Sequence, residues 1–354
     1  MNDKKMSNKS ADQFTRSYYL KKLNQNKLGY LAPLFFLLGN IIAINITPII
    51  YSNFIQRATQ GKYTQLLEII PVILILLVLH LTRFTLFGLT DYIWSKVSTK
   101  VQGELIVESQ EVILTKSKSF FADNFTGGIV NKVGSFAIGF QALLNEYSYN
   151  LIPSIVTMTL VFIYVGSKSL ILLIPFIMTS AVFGIFVLAT KPKRKKLNKE
   201  RQLAITKFQG FLADSISSVD VVKSEGAEEY EIRNVKKPLK VFTDAKSKAM
   251  VFSNVLGRAT GYVGQFFTIV ALLFAIFMYI NHKIDLAMVL IMTSYAGSLV
   301  DKISALSNYK INVQEVYNST FEMAEIMMME PEIKDPQYPV KLKIEKGQIE
   351  FNDA

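Results

Sequence analysis

Cysteine is absent from the 354 residues, and only two histidines occur, His80 and His282. The first absence excludes a disulfide framework, a thiolate metal site and a cysteine nucleophile. The second leaves no histidine-rich metal site. Charge is scarce too: 19% of residues are Asp, Glu, Lys or Arg, against about 25% in an ordinary soluble domain. No G-x-x-x-x-G-K-[ST] phosphate loop occurs anywhere, so no Walker-type nucleotide site is encoded. Gly61-Lys62 is the nearest fragment, and Tyr63 stands where a magnesium-binding hydroxyl is required. Hydrophobic residues fill the space these leave, 50% of the chain with a mean hydropathy of +0.28. They gather in long blocks, which mark an integral membrane protein.

A bilayer core about 30 Å thick needs roughly 20 apolar helical residues. Six stretches qualify, near 30–55, 66–90, 143–166, 169–190, 251–280 and 284–307. The links after the first, third and fifth are short and carry four Lys/Arg: Arg57, Lys62, Lys168 and Lys283. Segments 1–30, 91–142 and 191–250 carry twenty-seven. The positive-inside rule therefore predicts both termini and both long links in the cytoplasm, across the plasma (inner) membrane. The same rule accounts for the net charge of +11, so no nucleic-acid partner is implied. Segment 1–29 has seven Lys/Arg and no apolar run, and reads as a cytoplasmic N-terminal segment rather than a signal peptide.

The long links carry helical patterns. Val97, Val101, Leu105 and Val112 form one stripe, and Phe208, Phe211, Leu212, Ile216 and Val219 a second. Val313, Tyr317, Phe321, Ala324 and Met328 form a third. The 27 residues of 92–118 would project roughly 40 Å as a helix. The expected fold is all-α: six transmembrane helices extended into the cytoplasm, over residues 30–328. Residues 329–339 are a proline-punctuated linker. In 340–354, Val340, Leu342 and Ile344, then Ile349 and Phe351, alternate about Lys346-Gly347 as two strands. A lone hairpin is marginal in water, so these read as the first piece of a further domain.

Two places where the helical rods turn back combine polar and apolar residues. In "KSFFADNFTGGIVNKV" (118–133), Gly127 and Gly128 permit a tight reversal, and Asn124 and Thr126 suit capping. In "SISSVDVVKSEGAEEYE" (215–231), Val219, Val221 and Val222 cover one side while Glu225, Glu228 and Glu229 crowd the other. Periodicity alone reads these as a turn with a hydrophobic plug and a solvated acidic face.

Both segments resemble signatures of ATP-binding cassette (ABC) exporters. "SFFADNFTGGIVNKV" is similar to the FF-x-x-N-x-T-G-x-[IL] pattern of the family's first intracellular loop. "SSVDVVKSEGAEE" resembles the GI-x-x-[IV]-K-x-F-x-x-E segment of its second, and "KGQIEFNDA" the entry strand of the family's α/β nucleotide-binding domain. The order and spacing are the family's, over essentially the whole chain. Gly128 departs from the family's usual acid and Lys132 from its usual arginine.

The resemblance implies that Phe120, Phe121, Asn124, Thr126 and Gly127 form one coupling helix. Val219, Val222, Lys223 and Glu225 belong to a second. Each would dock on a nucleotide-binding domain. It implies a second transmembrane half, identical or different, a lipid environment, and ATP with Mg2+ bound by the nucleotide-binding domains. This chain itself has no catalytic, cofactor or metal residues, and no LSGGQ signature. The short form could be a truncated product or take its ATPase from a separate chain. A non-transporting scaffold or regulator of a complete transporter is the alternative, and an ATP-independent carrier, with Pro48, Pro71 and Pro175 as helix breaks, a third. His80 and Arg83, three apart on the second span, are candidates for the substrate path, because ionisable groups in a span usually face a cavity or partner. Asn40, Asn45 and Thr47, and near the cytoplasmic ends Arg258, Asp301 and Lys302, are further polar groups. Met327–Met329 read as packing.

Overall fold

The computed structural model describes residues 8–63, 65–124, 126–331 and 347. The two strands expected in 340–354 lie outside these residues, apart from Gly347. Among the described residues there are ten α-helices, short 3-10 and π turns, and no strand. The helices are α1 (Asn8–Gln25), α2 (Lys27–Thr59), α3 (Ile70–Leu114), α4 (Lys118–Asp123), α5 (Thr126–Asn145) and α6 (Ile152–Lys168). They continue with α7 (Ile174–Ser217), α8 (Val219–Ser224), α9 (Glu228–Ile280) and α10 (Leu286–Met328).

Six helical stretches are long and apolar enough to cross a membrane: Lys27–Thr59, Ile70–Leu114, Gly127–Lys168, Leu170–Ser217, Glu228–Ile280 and Leu286–Met328. Each overlaps one of the spans expected from sequence, and three of them start one to four residues later than expected. Helices are the form that satisfies every backbone polar group inside a bilayer. None of the most apolar window of α3 is buried within the chain, and Ile73, Leu77, Leu81 and Phe84 are exposed. Such a surface needs lipid or another protein over it. The prolines weighed as breaks do not interrupt spans: Pro48 lies inside α2, Pro71 in the first turn of α3, and Pro175 at the start of α7. Proline is tolerated in a first turn because its missing N–H has no helical partner there.

The chain divides into two compact units. One comprises 28–94 and 144–313. Its core joins Val161, Val165, Leu172, Phe176 and Phe183 to Ala271 and Ala275 of α9 and to Met288, Met292, Tyr295 and Leu299 of α10. Asn45 ties this core together: its amide donates to the Ile41 carbonyl at 2.8 Å and to Thr157 Oγ1 at 3.3 Å, and Tyr295 Oη donates to its carbonyl at 2.7 Å. At the tight turn before α10, Asp285 accepts from the Met288 N–H at 2.8 Å, an N-cap. The packing of α9 on α10 depends on Gly264, where an added Cβ would sit 2.2 Å from Val300 Cγ1. Gly264→Ala is therefore expected to destabilise the protein by about 1–3 kcal/mol through overpacking. Thermal unfolding in detergent measures this, and Gly264→Ala/Val300→Ala should recover most of it.

The other unit comprises 1–27, 95–143 and 314–354. Here α1, which the sequence presented only as a basic segment, is a packed helix. Ala11, Thr15, Tyr19 and Lys22 are its buried stripe, spaced four, four and three. The Tyr19 hydroxyl donates to the Phe136 carbonyl, and its ring meets Phe140 edge-on at 5.4 Å. On α3 the buried line is Ser98, Val101, Leu105, Ser109 and Ile113. Val101 and Leu105 are where the periodicity put them, while Val97 and Val112 are half-buried.

Candidate functional site: two elbows and a polar turn

After α3 the chain tightens through Thr115 and Lys116, whose N–H groups donate to Val112 and Ile113 carbonyls. It then enters the six-residue α4 from Ser117, which is extended. Phe120 and Phe121 meet edge to face at 5.4 Å. Phe120 is half-buried, whereas Phe121 is 43% exposed. Asn124 ends α4, its amide donating to the Phe120 carbonyl at 2.9 Å, so it caps the helix that precedes it. The expected glycine reversal does not occur. Gly127 and Gly128 lie in the first turn of α5, and neither has a positive φ. Phe125 lies outside the described residues, and Thr126 is the first residue of α5. The elbow is tied to the end of α10, because Lys116 Nζ donates to the Met329 carbonyl at 2.5 Å. Burial pushes the Lys116 ammonium down from its ordinary pKa.

The second elbow is α8, also six residues long. Val219 and Val221 are exposed, Val222 is half-buried, and Lys223 and Glu225 face solvent. Its end is a Schellman closure. The Gly226 N–H donates to the Lys223 carbonyl at 3.4 Å and the Ala227 N–H to the Val222 carbonyl at 2.9 Å. Gly226 has φ +60° and nothing within 4 Å of a built Cβ. The cost of a side chain there is accordingly backbone strain alone, about 1–2 kcal/mol. Gly226→Ala should speed amide hydrogen exchange across 219–227 by about five- to thirtyfold, leaving exchange in α10 unchanged. Across the elbow, Lys223 pairs with Glu228 at 2.9 Å, and that hydrogen bond holds the Glu228 carboxyl below its usual pKa. Ser215 donates to Glu231 at 3.3 Å.

The two residues singled out for a substrate path are not gathered into a polar cluster among the described residues. His80 Nδ1 bonds the Leu76 carbonyl of its own helix at 2.8 Å and meets Tyr51 edge-on. The Arg83 guanidinium lies 4.8 Å from the neighbouring Phe84 ring. Both are half-buried. Asn40 and Asn45 are buried in the bundle, and Thr47 bonds its own helix. Arg258 and Asp301 are exposed and Lys302 half-buried.

A polar network does form at a place the sequence reading passed over. Residues Glu146–Leu151 form a π-helical turn, a rare geometry often found where function needs a bulge. There Glu146 accepts from Asn150 at 2.9 Å and from Asn312 at 2.8 Å. Tyr149 donates to Asp91 and stands perpendicular to Trp94 at 5.8 Å. The cluster Glu146-Tyr147-Ser148-Tyr149-Asn150, polar residues at the head of a span, was the available signal.

The 354 residues contain no phosphate loop, and among the described residues the elbows offer exposed phenylalanine and valine rather than a cradle of N–H donors.

The fold is shared with known proteins. It resembles the structure of a bacterial Atm1-family ABC exporter with ATP bound, with a TM-score of 0.72 and 15% identity. The match covers 91% of this chain and 56% of that one, so this chain spans little more than half the length of that exporter. Residues 30–303 match the ABC transporter transmembrane region. Six membrane-length helices, two short helices where long ones turn back, and that match over most of the sequence lead to one conclusion: the chain belongs to the ABC transporter transmembrane-region family.

Proposed function

We propose that this chain is the membrane-spanning half of an ATP-driven exporter. It forms the translocation path with a second transmembrane half, and receives movement from nucleotide-binding domains through α4 and α8. The observation that carries the reading is the pair of six-residue helices, each exposing apolar side chains that no described residue covers. Aromatic anchors on a partner-facing surface bury large area at modest entropic cost. Phe120, Phe121, Asn124, Thr126 and Gly127 belong to the first docking element, and Val219, Val222, Lys223 and Glu225 to the second. Both elbows and both termini lie on the cytoplasmic side, in the plasma (inner) membrane, a reading that the excess of Lys and Arg in those segments supports. ATP and Mg2+ are bound by the partner domains and supply the driving chemistry there. This chain's residues hold the docking surfaces, and its helices carry the displacement into the membrane. His80 and Arg83 remain the candidates for the path.

Purification from native membranes in mild detergent tests the reading. The protein should be isolated with a Walker-type nucleotide-binding domain, on its own chain or a partner's, and with Mg2+-dependent ATPase activity. Isolation of the intact membrane assembly with no such domain and no ATPase would leave the scaffold reading in its place.

A further inference from the structure

On α7 the apolar run ends at Thr190, and seven of the next eleven residues, 191–201, are Lys or Arg, with Glu200 the one acid. Helix α9 runs antiparallel beside it in the same unit. Lys193 Nζ lies 5.0 Å from the Phe252 ring, and Phe208 stacks on Phe242 at 5.4 Å. Between those contacts fall Lys195, Lys196 and Lys199 on α7 and Lys246 and Lys248 on α9. All five are exposed. Lys191, Lys195, Lys196 and Lys199 have no acidic partner among the described residues. Four unneutralised side-chain charges within nine residues of one helix repel one another unless an anion lies among them.

Their level along the helix says what that anion is. At 1.5 Å per residue, Lys191 to Lys196 stand within about 9 Å of the last apolar residue. The headgroup layer on each side of a bilayer is roughly 5–8 Å deep. Lysine stems are long enough to reach from there to a phosphate while their methylenes cover apolar surface. Charges set merely to fix topology need only outnumber those on the other face. They do not need to gather on two adjacent helices just past the end of their apolar runs. We propose that the α7–α9 boundary is a binding surface for anionic phospholipid headgroups. The inference rests on the membrane reading above and on neither elbow.

Spin-labelled phosphatidylglycerol and phosphatidylcholine, compared on the full chain in mixed vesicles, test it without any transport assay. Wild type should prefer the anionic lipid, and high salt should weaken that preference. K191Q/K195Q/K196Q/K199Q should reduce it about tenfold or more, since each basic residue near the surface contributes several-fold. R233Q/K236Q/K237Q/K240Q removes as many charges further along α9 and should leave it nearly unchanged. Equal loss in both variants, or loss in neither, overturns the proposal. Should the first variant fail to insert, acetylation of the wild type decides instead. Lys191, Lys195, Lys196 and Lys199 should be protected in phosphatidylglycerol vesicles relative to phosphatidylcholine, and equal labelling overturns the proposal. Failure here leaves the ATPase result untouched, so the two readings stand or fall separately.

Discussion

Replacing Phe120 and Phe121 together with alanine should abolish most ATP-driven transport while leaving the spans inserted and folded. Phe121 is largely outside the protein's own packing, and its contact with Phe120 is a local edge-to-face pair. The folded chain loses little when it is removed. A partner socket loses much: a buried aromatic anchor contributes on the order of 2 kcal/mol or more at an interface. Two of them would weaken docking by about a hundredfold or more. The signature is uncoupling. ATP hydrolysis by the assembly should continue or lose its response to transported substrate, while substrate flux falls at least about tenfold. Flux and hydrolysis measured in the same proteoliposomes distinguish this from simple misfolding, which lowers both. Normal coupling in the double variant would remove α4 from the transmission path.

Replacing Lys22 with alanine should destabilise the unit containing α1 by about 2–3 kcal/mol, the low side of what breaking a buried ion pair costs. Lys22 is 5% exposed, and its ammonium lies 3.1 Å from Glu104 and 2.5 Å from Glu108. Tyr18 adds a hydrogen bond to Glu108 at 2.6 Å. Without Lys22 the two carboxylates, four apart on α3, repel one another and keep only Lys100, 3.8 Å from Glu104, and the Tyr18 hydroxyl on Glu108. Both are about one-third exposed, so water returns and limits the loss. K22M/E104Q/E108Q should recover most of the stability, because it removes the charges on both sides. Limited proteolysis within α1, with thermal unfolding, reads the effect, and a change under about 0.5 kcal/mol would contradict it.

The same contact has a pH signature. Burial opposes the Lys22 charge, but hydrogen bonds to Glu108 and Glu104, with their charges, outweigh it and raise its pKa above the ordinary 10.5. The contribution is therefore complete below 10.5 and fades as pH rises through the higher folded value. K22M should lack that alkaline loss.

The spans were legible because a bilayer imposes a length and a composition on any helix that crosses it. Short helices fall at both places where polar and apolar residues mix, α4 and α8. What failed there was the glycine argument. Gly127-Gly128 has the propensity of a turn, but Ile129, Phe136 and Phe140 are buried in α5 and hold it helical from Thr126. Packing overrides propensity over so short a stretch. Helix α1 was missed because its buried face is Ala11, Thr15, Tyr19 and Lys22, which no hydrophobic pattern flags. The π turn at Glu146–Leu151 was hidden for the opposite reason, since the apolar run after it made the whole region read as plain span. His80 and Arg83 were chosen for being ionisable within a span. On an unburied helix, that feature shows only that a partner, a cavity or a headgroup satisfies them.

The central claim is that α4 seats on a nucleotide-binding domain, and the absence of cysteine from these 354 residues allows one direct measurement. Phe121→Cys, in otherwise unchanged protein in its own membranes, is treated with a short thiol-reactive photo-crosslinker, and the adduct is identified by mass spectrometry. The account predicts an adduct to a segment carrying a Walker phosphate loop, and none when the cysteine is instead at Leu170, exposed in another link. An adduct from Phe121→Cys to lipid alone, or to a protein with no nucleotide-binding domain, would contradict it.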